Sequence, residues 1–274
     1  MNSQAATTNG SSGNELISPR VPPRESLALV TGASSGIGRQ IAKQLAAQGY
    51  QIVIDHYRDA EGANETLRLV REAGSDGWIF DADVGSASEL DRLFEAIEAT
   101  KRPLAVLVNN AAVQTFKPLM DLTEEEWLRT IRTNLTGTFL CTQRASRLMQ
   151  ATGGAIVNLG SGANRVPFPS LGDYCASKGG IEMLTKVAAI ELGKFSIRVN
   201  CVAPGAIEND RTKRESPDYG KTWGAITPLG RVGQECDVAD AVSFLVSPAA
   251  GFITGQTLYV DGGLWTRGQW PYAT

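Results

Sequence analysis

The sequence predicts an α/β fold in which a doubly wound parallel sheet carries helices on both faces within a single domain. Strand-like and helix-like segments alternate along most of the 274 residues. The strand-like segments are short, continuous apolar runs, which are typical of strands buried on both faces. A glycine-rich turn separates the first predicted strand from the first predicted helix, as it does in many proteins that bind phosphate groups.

The hydrophobic pattern gives the elements in order. Strands are expected at 27–31, 51–55, 77–80, 104–108, 154–160, 197–202 and 257–260. Helices are expected near 37–48, 60–73, 86–100, 124–150, 173–193 and 235–247. Because strand–helix–strand crossovers are right-handed, the carboxyl ends of the strands should share one edge, where ligands bind.

The glycine-rich turn is Thr31-Gly32-Ala33-Ser34-Ser35-Gly36-Ile37-Gly38. It follows the apolar run Leu27 to Val30 and precedes a segment with apolar residues at helical spacing. Glycines permit a sharp turn close to a pyrophosphate, and the N–H groups of the following helix favour its negative charge. We expect cofactor contacts from Gly32, Ser34, Ser35, Gly36, Ile37 and Gly38. The unit predicts a Rossmann-type dinucleotide site.

A phenol and an ammonium group lie four residues apart in Tyr174-Cys175-Ala176-Ser177-Lys178. On a helix this spacing places both side chains on one face. A nearby cation favours ionisation of a phenol, so the sequence predicts that Lys178 lowers the pKa of Tyr174. Such a pair would serve as a proton donor and acceptor.

These motifs resemble the short-chain dehydrogenase/reductase family over almost all of residues 26–264. The glycine-rich turn and the Tyr-x-x-x-Lys pair carry the resemblance, together with Asn109-Asn110-Ala111-Ala112, Asn134, Ser161 thirteen residues before Tyr174, and Pro204-Gly205. The resemblance implies an active NAD(P)-dependent enzyme acting on CH–OH groups. It also implies a catalytic tetrad of Asn134, Ser161, Tyr174 and Lys178.

Each member of the tetrad has a role that the resemblance implies. Tyr174 would be the general acid and base, and Lys178 would bias it and hold the nicotinamide ribose. Ser161 would hydrogen-bond the substrate oxygen. Asn134 would hold a water molecule that relays protons from Lys178 to solvent. Further cofactor contacts are expected from Asp83, Val84, Asn110, Ala111, Ala112, Tyr174, Lys178, Pro204, Gly205 and Ile207.

The end of the second strand should determine the choice of nicotinamide cofactor, and its signals conflict. The region reads Asp55-His56-Tyr57-Arg58. Asp55 would accept from a ribose hydroxyl and favour NAD, whereas Arg58 would pair with a 2′-phosphate and favour NADP. Asp55 precedes by one place the usual acidic position, which His56 occupies. The sequence therefore leaves NAD and NADP both open.

Within the family the chain looks most like the glucose 1-dehydrogenase and 3-oxoacyl-carrier-protein reductase branch. We expect a sugar, polyol, alcohol or ketone substrate, with an acyl-carrier-protein ketoreductase as the alternative. A non-catalytic NAD(P)-sensing regulator is a further alternative from a different class. Substrate contacts are expected from Ser161, Ala163, Asn164, Phe168, Tyr174 and Trp223, with the aromatic tail from Trp265. Trp265, Trp270 and Tyr272 equally suit subunit packing.

Composition excludes several other classes. The net charge is −3 and there is no basic block, which argues against nucleic acid as a partner. No apolar stretch has the length of a membrane span. The four scattered cysteines and the one histidine predict no metal site and fit a reducing cytoplasm.

The chain is expected to comprise a disordered tail over 1–24 and one catalytic domain over 25–274. The tail is rich in Ser, Asn, Thr, Gly and Pro and lacks apolar periodicity. Residues 206–230 interrupt the alternating pattern, and we expect a long loop that acts as a lid over the substrate. The family resemblance implies a homotetramer.

Overall fold

Seven parallel strands form the central sheet in the computed structural model, which describes residues 23–266. They are β1 (Leu27–Val30), β2 (Gln51–His56), β3 (Gly77–Asp81), β4 (Leu104–Asn109), β5 (Gly154–Leu159), β6 (Ile197–Pro204) and β9 (Thr257–Val260). Two further strands, β7 (Ile207–Glu208) and β8 (Gly233–Gln234), pair with each other apart from this sheet. The order in the main sheet is β3-β2-β1-β4-β5-β6-β9.

Helices connect these strands. They are α1 (Gly36–Ala47), α2 (Ala60–Glu72), α3 (Ala87–Ala99), α4 (Glu124–Thr130), a π-helix (Ile131–Thr136), α5 (Gly137–Met149), α6 (Gly172–Leu192), α7 (Asp210–Glu215), α8 (Tyr219–Ile226) and α9 (Glu235–Val246). Short 3₁₀ turns lie at Pro23–Glu25, Gly162–Asn164, Gly193–Phe195 and Pro248–Ala250. The order of strands and helices agrees with the sequence analysis.

Helices cover both faces of the sheet, and each face has its own apolar core. Successive residues of a strand point to opposite faces, so Ala28 and Val30 join one core while Leu27 and Leu29 join the other. The first core contains apolar residues of α1, α2 and α9. The second contains residues of α3, α5 and α6. The predicted doubly wound α/β fold is confirmed.

The strand order reverses between β1 and β4, and this reversal positions the site. From β1 the chain moves outward through β2 and β3, then returns to β4 on the other side of β1. The loops that follow β1 and β4 therefore diverge above the sheet and leave a crevice between them. Ligands of open α/β sheets bind at such a switch point.

The helix predicted over 124–150 differs from the structure. It is interrupted by the π-helix, in which each turn contains one additional residue. The side chain of Asn134, within that segment, bonds the backbone of Val113 through both of its polar atoms. Periodicity alone could not show this interruption, because the apolar residues on each side still follow a helical pattern.

Residues 206–230 also differ from the predicted loop. The segment contains α7 and α8, and its beginning, Ile207–Glu208, pairs with Gly233–Gln234. Asn209 caps α7, because its side-chain oxygen accepts a hydrogen bond from the Thr212 N–H at 2.9 Å. The helices are short, so they give only a weak periodic signal in the sequence.

Some predictions fall at the ends of the chain. Residues 1–22 of the predicted tail lie outside the described residues, as do Trp270 and Tyr272. The 3₁₀ turn Pro23–Glu25 includes two residues that the sequence analysis assigned to the tail. Within 23–266 no helix has the length and apolar character needed to span a membrane.

Arg198 provides a test of how the second half of the sheet is held to α9. Its guanidinium is buried and donates to the carbonyls of Leu245 at 2.6 Å and of Val246 and Ser247 at 3.2 Å. A cation at a helix C-terminus satisfies carbonyls that lack helical partners. We expect Arg198→Met to lower the free energy of unfolding by about 2–4 kcal/mol, measured by urea denaturation.

The matched control is Arg68→Met, which removes an exposed arginine paired with Glu65 and Glu72 on α2. Exposed ion pairs contribute little to stability, so the unfolding midpoint should not change. Equal midpoints for both variants would contradict a stabilising role for Arg198.

Candidate active site

A cavity of about 1130 Å³ opens at the switch point of the sheet. Its lining includes most of the residues predicted to hold the cofactor, namely Gly32, Ser34, Ser35, Gly36, Ile37, Gly38, Asp55, Tyr57, Asp83, Val84, Asn110, Ala111 and Ala112. The size and the position suit an extended ligand bound across the carboxyl ends of the strands.

Hydrogen bonds join the two turns that form the floor of the cavity. The Asn110 side chain donates to the carbonyls of Thr31 at 2.8 Å and Gly32 at 2.9 Å. In return the Thr31 hydroxyl accepts from the N–H groups of Asn110 at 2.9 Å and Ala111 at 3.1 Å. The turn after β1 and the turn after β4 therefore form one rigid unit.

The glycine-rich turn fits a phosphate group. Gly36 has a φ of +59°, and a Cβ at that position would have Glu235 Oε1, 3.6 Å away, as its nearest neighbour. Ser35, at the N-cap of α1, makes no side-chain capping bond in the described structure. The first N–H groups of α1 are therefore available for an anion, as a dinucleotide pyrophosphate requires.

Arg39 restrains this turn, a role that the sequence analysis did not predict. Its guanidinium donates to the carbonyls of Ser34 and Gly62 and, at 3.1 Å, to the Thr66 hydroxyl. These bonds tie the turn to α2. The sequence signal that could have revealed this role is the position of Arg39, a basic residue one helical turn after Ser35 in α1.

Asp55 is buried beneath the turn, inside β2 rather than beyond its end. One carboxylate oxygen accepts weakly from the Gly32 N–H at 3.4 Å, and the other has no partner among the described residues. Burial raises the pKa of Asp55 well above its ordinary value, and nearby acidic groups raise it further. An unpaired buried oxygen beside the cavity suits a ribose hydroxyl, so the residues present fit a nicotinamide dinucleotide.

The next three residues have different environments. His56 is buried, and its Nδ1 accepts from the Asp59 N–H at 3.1 Å. Tyr57 is half exposed and lines the cavity. Arg58 places its guanidinium carbon 4.8 Å from the centre of the Tyr57 ring and does not line the cavity. Of the expected contacts in this stretch, Asp55 and Tyr57 face the cavity, whereas His56 and Arg58 do not.

Tyr174 and Ser161 come together beyond the end of β5. Tyr174 lies in the first turn of α6, and its hydroxyl is hydrogen-bonded to the Ser161 side chain. Ser161 follows β5 directly and caps the Gly162–Asn164 turn, where its hydroxyl accepts from the Ala163 N–H at 3.1 Å. The structure therefore brings together the two hydroxyls that the sequence predicts would meet a substrate oxygen.

Lys178 lies one helical turn after Tyr174 and is buried. Its Nζ donates to the carbonyl of Leu159 at 2.7 Å and lies 5.5 Å from the centre of the Tyr174 ring. Burial lowers the pKa of Lys178 to about 8, and the nearby Cys201 opposes that shift. The ammonium group is thus close to losing its proton at physiological pH.

The predicted effect of Lys178 on Tyr174 is wrong in this structure. Burial raises the pKa of Tyr174 above its ordinary value, although the Ser161 hydrogen bond acts in the opposite direction. The ammonium group is bonded to a carbonyl and lies beside the ring, so desolvation of the phenolate outweighs its attraction. A protonated phenol is the form that donates a proton to a carbonyl oxygen.

Asn134 lies in the π-helix and packs against α6. Its amide nitrogen donates to the Val113 carbonyl at 2.8 Å and to the Ser177 hydroxyl at 3.0 Å. Its side-chain oxygen accepts from the Val113 N–H, and its own carbonyl accepts from the Thr138 hydroxyl at 2.7 Å. Asn134 is therefore bonded to α6, the helix that carries Tyr174 and Lys178.

The predicted substrate residues divide into two groups. Asn164 bonds the Ser161 N–H at 3.2 Å, and its amide lies near the Cys201 sulfur, so it braces the serine loop. Ala163 is buried in the same turn. Phe168 and Trp223 instead join an aromatic cluster through Trp265, with ring centroids 5.2 and 6.1 Å from it.

Trp265 lies directly against the serine loop. A Cβ added to Gly162 would come within 2.1 Å of the indole nitrogen of Trp265, so only glycine allows this contact. Trp223 also packs beside Tyr219, 6.1 Å between ring centroids. We define the aromatic cluster as Phe168, Tyr219, Trp223 and Trp265.

Three predicted nicotinamide contacts just after β6, namely Pro204, Gly205 and Ile207, do not line the cavity. Pro204 ends β6, and Gly205 approaches Asp261, where a Cβ would be 2.7 Å from the Asp261 Cβ. Ile207 is buried against Gly233. The expected contacts of Pro204, Gly205 and Ile207 with the nicotinamide remain predictions.

Charged residues that the sequence analysis did not assign also line the cavity. The basic ones are Arg39, Arg129, Arg132, Arg211, Lys213 and Arg214, and the acidic ones include Glu208, Asp210 and Glu235. Several of them belong to α7, in the segment predicted to be a lid. Over residues 23–266 no group of three His, Cys, Asp or Glu side chains could hold a metal ion.

The fold and the site together define an oxidoreductase that binds a nicotinamide dinucleotide. A family model described as enoyl-(acyl carrier protein) reductase matches residues 32–265. The 3-oxoacyl-[acyl-carrier-protein] reductase FabG of Staphylococcus aureus is 41% identical over 239 residues, which are 87% of this chain and 97% of that protein. The chain belongs to the short-chain dehydrogenase/reductase family, as the sequence motifs indicated.

Solved structures agree with this assignment. The acetoin dehydrogenase of Enterobacter cloacae has a TM-score of 0.81 and 33% identity, covering 91% of this chain and 99% of that one. A candidate gluconate dehydrogenase of Agrobacterium tumefaciens has a TM-score of 0.85 and 32% identity, covering 92% and 99%. The chain is accordingly an NAD(P)-dependent oxidoreductase of CH–OH and keto groups, and its preference between the two cofactors is open.

The lowered pKa of Lys178 leads to a pH prediction. Below about pH 8 the side chain carries its ammonium charge, and above about pH 8 it is neutral. If the charged form holds the cofactor ribose, kcat/KM for carbonyl reduction should fall on the alkaline side with an apparent pKa near 8.

The measurement is a pH–rate profile in constant-ionic-strength buffers. Lys178→Met should remove this alkaline limb together with most of the activity. A wild-type profile that stays flat from pH 7 to about 10 would contradict a role for the Lys178 charge.

Proposed function

We propose that the chain transfers a hydride between NAD(P) and the carbonyl or CH–OH group of a small polar substrate, with Tyr174 as the general acid and base. The observation that carries this proposal is the hydrogen-bonded pair of Tyr174 and Ser161, with the Lys178 ammonium group 5.5 Å from the centre of the tyrosine ring. The bound nicotinamide supplies or accepts the hydride. The protein's own residues must then hold the substrate oxygen and move one proton.

Ser161 supports the reaction by donating a hydrogen bond to the substrate oxygen as negative charge develops there. Its hydroxyl is held by the Ala163 N–H, which leaves the hydroxyl proton available. In reduction Tyr174 gives its phenolic proton to that oxygen, and in oxidation the phenolate removes a proton from the alcohol. The raised pKa of Tyr174 favours the protonated form, which is the form that donates a proton to a carbonyl oxygen.

We propose a sugar, polyol, alcohol or small ketone as the substrate, as in glucose 1-dehydrogenase. The aromatic cluster supports this choice because Trp265 lies against Gly162, the residue after Ser161, and Phe168 and Trp223 pack beside its ring. Such an aromatic surface suits the apolar face of a compact ring or a short carbon chain. The similarity to an acetoin dehydrogenase is consistent with a small substrate.

A 3-oxoacyl-carrier-protein reductase activity is the second candidate. The 41% identity to the staphylococcal reductase favours it. The sequence contains no basic block, yet the fold gathers five basic residues of α4, the π-helix and α7 around the cavity: Arg129, Arg132, Arg211, Lys213 and Arg214. A positive rim would attract an acidic carrier protein.

We infer a preference for NAD over NADP. Asp55 lies in an acidic neighbourhood, since Asp81, Asp83 and Glu89 all raise its pKa. Repulsion among these groups would act equally against a 2′-phosphate. Arg58, which would attract such a phosphate, stacks on Tyr57 and lies outside the cavity lining.

Two further features of the protein are proposed, a lid and a cellular location. The segment 206–230 serves as a lid, supported by the α7 residues that line the cavity beside the predicted cofactor contacts. The protein works in the reducing cytoplasm, supported by the absence of disulfide bonds among Cys141, Cys175, Cys201 and Cys236, all of which are described and free.

A homotetramer is also proposed. Met183, Val187 and Ile190 lie on one face of α6 and are 59%, 44% and 82% exposed. Apolar side chains at this helical spacing form a stripe that a monomer would leave in water. Pairing of this stripe with the same stripe of a second copy would bury it around a two-fold axis.

The test of function is a turnover assay with NADH and NADPH over a panel of sugars, polyols, alcohols, ketones and a 3-oxoacyl-carrier-protein. We expect turnover of a small polar substrate, with a higher kcat/KM for NADH. Tyr174→Phe should lower kcat by roughly 100-fold or more while the dissociation constant of the cofactor stays the same. Tyr50→Phe, which changes a buried phenol far from the site, should remain active.

Exclusive turnover of the carrier-protein substrate would favour the second candidate. Cofactor binding without turnover of any substrate would instead favour a redox-sensing regulator. Full activity of Tyr174→Phe would remove the proposed mechanism.

Light scattering tests the oligomeric state. The wild-type chain should have the mass of four protomers, and Met183→Glu with Ile190→Glu should shift it to smaller species because charges would be buried at the contact. A monomeric wild-type protein at micromolar concentration would contradict the tetramer.

A further inference from the structure

Two buried hydrogen bonds connect α6 to the helical segment that contains Asn134. The Thr130 hydroxyl donates to Asp173 Oδ2 at 2.6 Å, and the Asn134 amide donates to the Ser177 hydroxyl at 3.0 Å. Thr130 and Asn134 are four residues apart, and so are Asp173 and Ser177. The two bonds therefore lie one helical turn apart on facing helices. We call these four residues the ladder.

All four members of the ladder are completely buried, each with a relative exposure of 0%. Hydrogen bonds in such an environment are not weakened by competing water, and loss of one partner leaves the other unsatisfied. The Asp173 carboxyl group lies in the first turn of α6, where the helix dipole favours a negative charge. The ladder therefore resists distortion.

The ladder holds the backbone of Tyr174 from both sides. Asp173 Oδ1 accepts from the Tyr174 N–H at 2.7 Å. The Ser177 hydroxyl donates to the Tyr174 carbonyl at 2.7 Å. Both polar backbone groups of this residue are thus bonded to side chains of the ladder. We call each of the two hydrogen bonds, Thr130–Asp173 and Asn134–Ser177, a rung of the ladder. A shift of either rung would move the α-carbon of Tyr174, from which the phenol projects.

The far side of the ladder is fixed to the end of the sheet. Asn134 bonds both backbone groups of Val113, a residue of the loop after β4 that also lines the cofactor cavity. Thr130 is the last residue of α4, immediately before the π-helix. The phenol and the cavity are in this way connected through a short path of buried hydrogen bonds.

We propose that Thr130 and Asp173 are positioning residues that hold Tyr174 in register for proton transfer. Both residues are completely buried, and they reach the backbone of Tyr174 through the bond from its N–H to Asp173, so they act through the tyrosine. The inference rests on the proposed role of Tyr174 as the general acid and base. Small misplacements of a reacting group can cost roughly 100-fold in rate, which makes such restraint valuable.

The first test is Thr130→Val, which removes the hydroxyl at nearly constant volume. We expect kcat to fall roughly 10- to 100-fold while the cofactor dissociation constant changes by less than about twofold. Thr130→Ser should restore kcat because it returns the donor. Measurement of kcat, KM and cofactor binding by fluorescence titration separates positioning from loss of the cofactor site.

Thr185→Val is the matched control. Thr185 lies in α6 and, like Thr130, is completely buried, and its hydroxyl accepts from the Asn158 side chain at 2.9 Å. It lies about eleven residues, or roughly 16 Å, along the helix from Tyr174. This variant should lower the melting temperature about as much as Thr130→Val but keep the wild-type kcat. An equal fall of kcat in both variants would overturn the proposal, because stability alone would then explain it.

A second pair of variants keeps the test informative if Thr130→Val does not fold. Asp173→Asn preserves the rung, because the amide can donate to the Thr130 hydroxyl while its oxygen still accepts from the Tyr174 N–H. Combining Asp173→Asn with Thr130→Val breaks the rung without leaving a buried charge unpaired. We expect the kcat of Asp173→Asn to stay within a few-fold of the wild-type value. The kcat of the double variant should fall as much as that of Thr130→Val.

The outcomes also separate this proposal from the proposed mechanism. Suppose that Tyr174→Phe loses turnover but the double variant, Thr130→Val with Asp173→Asn, keeps the wild-type kcat. That result would overturn the ladder proposal and leave the mechanism intact. Full turnover in Tyr174→Phe would overturn the mechanism itself.

Discussion

Parallel pairing of β1, β4 and β5 is the constraint on which the site depends. It places the glycine-rich turn, the turn at Asn110 and the loop at Ser161 along one edge of the sheet. Buried polar bonds then lock neighbouring strands and helices together, as where the Asn109 side chain donates to Asn158 Oδ1 at 2.8 Å. Directional bonds between buried polar groups favour one arrangement where an apolar core alone would tolerate several.

Burial is also the main influence on the reactive groups. It raises the pKa of Tyr174 and lowers that of Lys178 to about 8, so both shifts favour the neutral side chain. The Ser161 hydrogen bond opposes the shift of the tyrosine. A phenol that keeps its proton at neutral pH is suited to protonating a carbonyl oxygen.

The sequence predicted the fold because apolar runs and glycine spacing are local signals. The catalytic tetrad is a prediction that rests on the family resemblance, which the tyrosine–lysine spacing supports. The sequence placed Asp55 at the end of the second strand but could not show that its carboxyl group would be buried beneath the glycine-rich turn, because that contact joins residues 23 positions apart. The π-helix at 131–136 has the same composition as an ordinary helix. The hydrogen bond between Thr130 and Asp173 joins residues 43 positions apart, so it can be identified only in the folded structure.

The most direct test of the central claim is a crystal structure of the protein with a bound nicotinamide cofactor. The account predicts that the Tyr174 hydroxyl remains hydrogen-bonded to Ser161 and faces the nicotinamide ring, with Lys178 beneath it near the ribose. A tyrosine hydroxyl that points away from the ring and lies beyond hydrogen-bond distance of Ser161 would contradict the account.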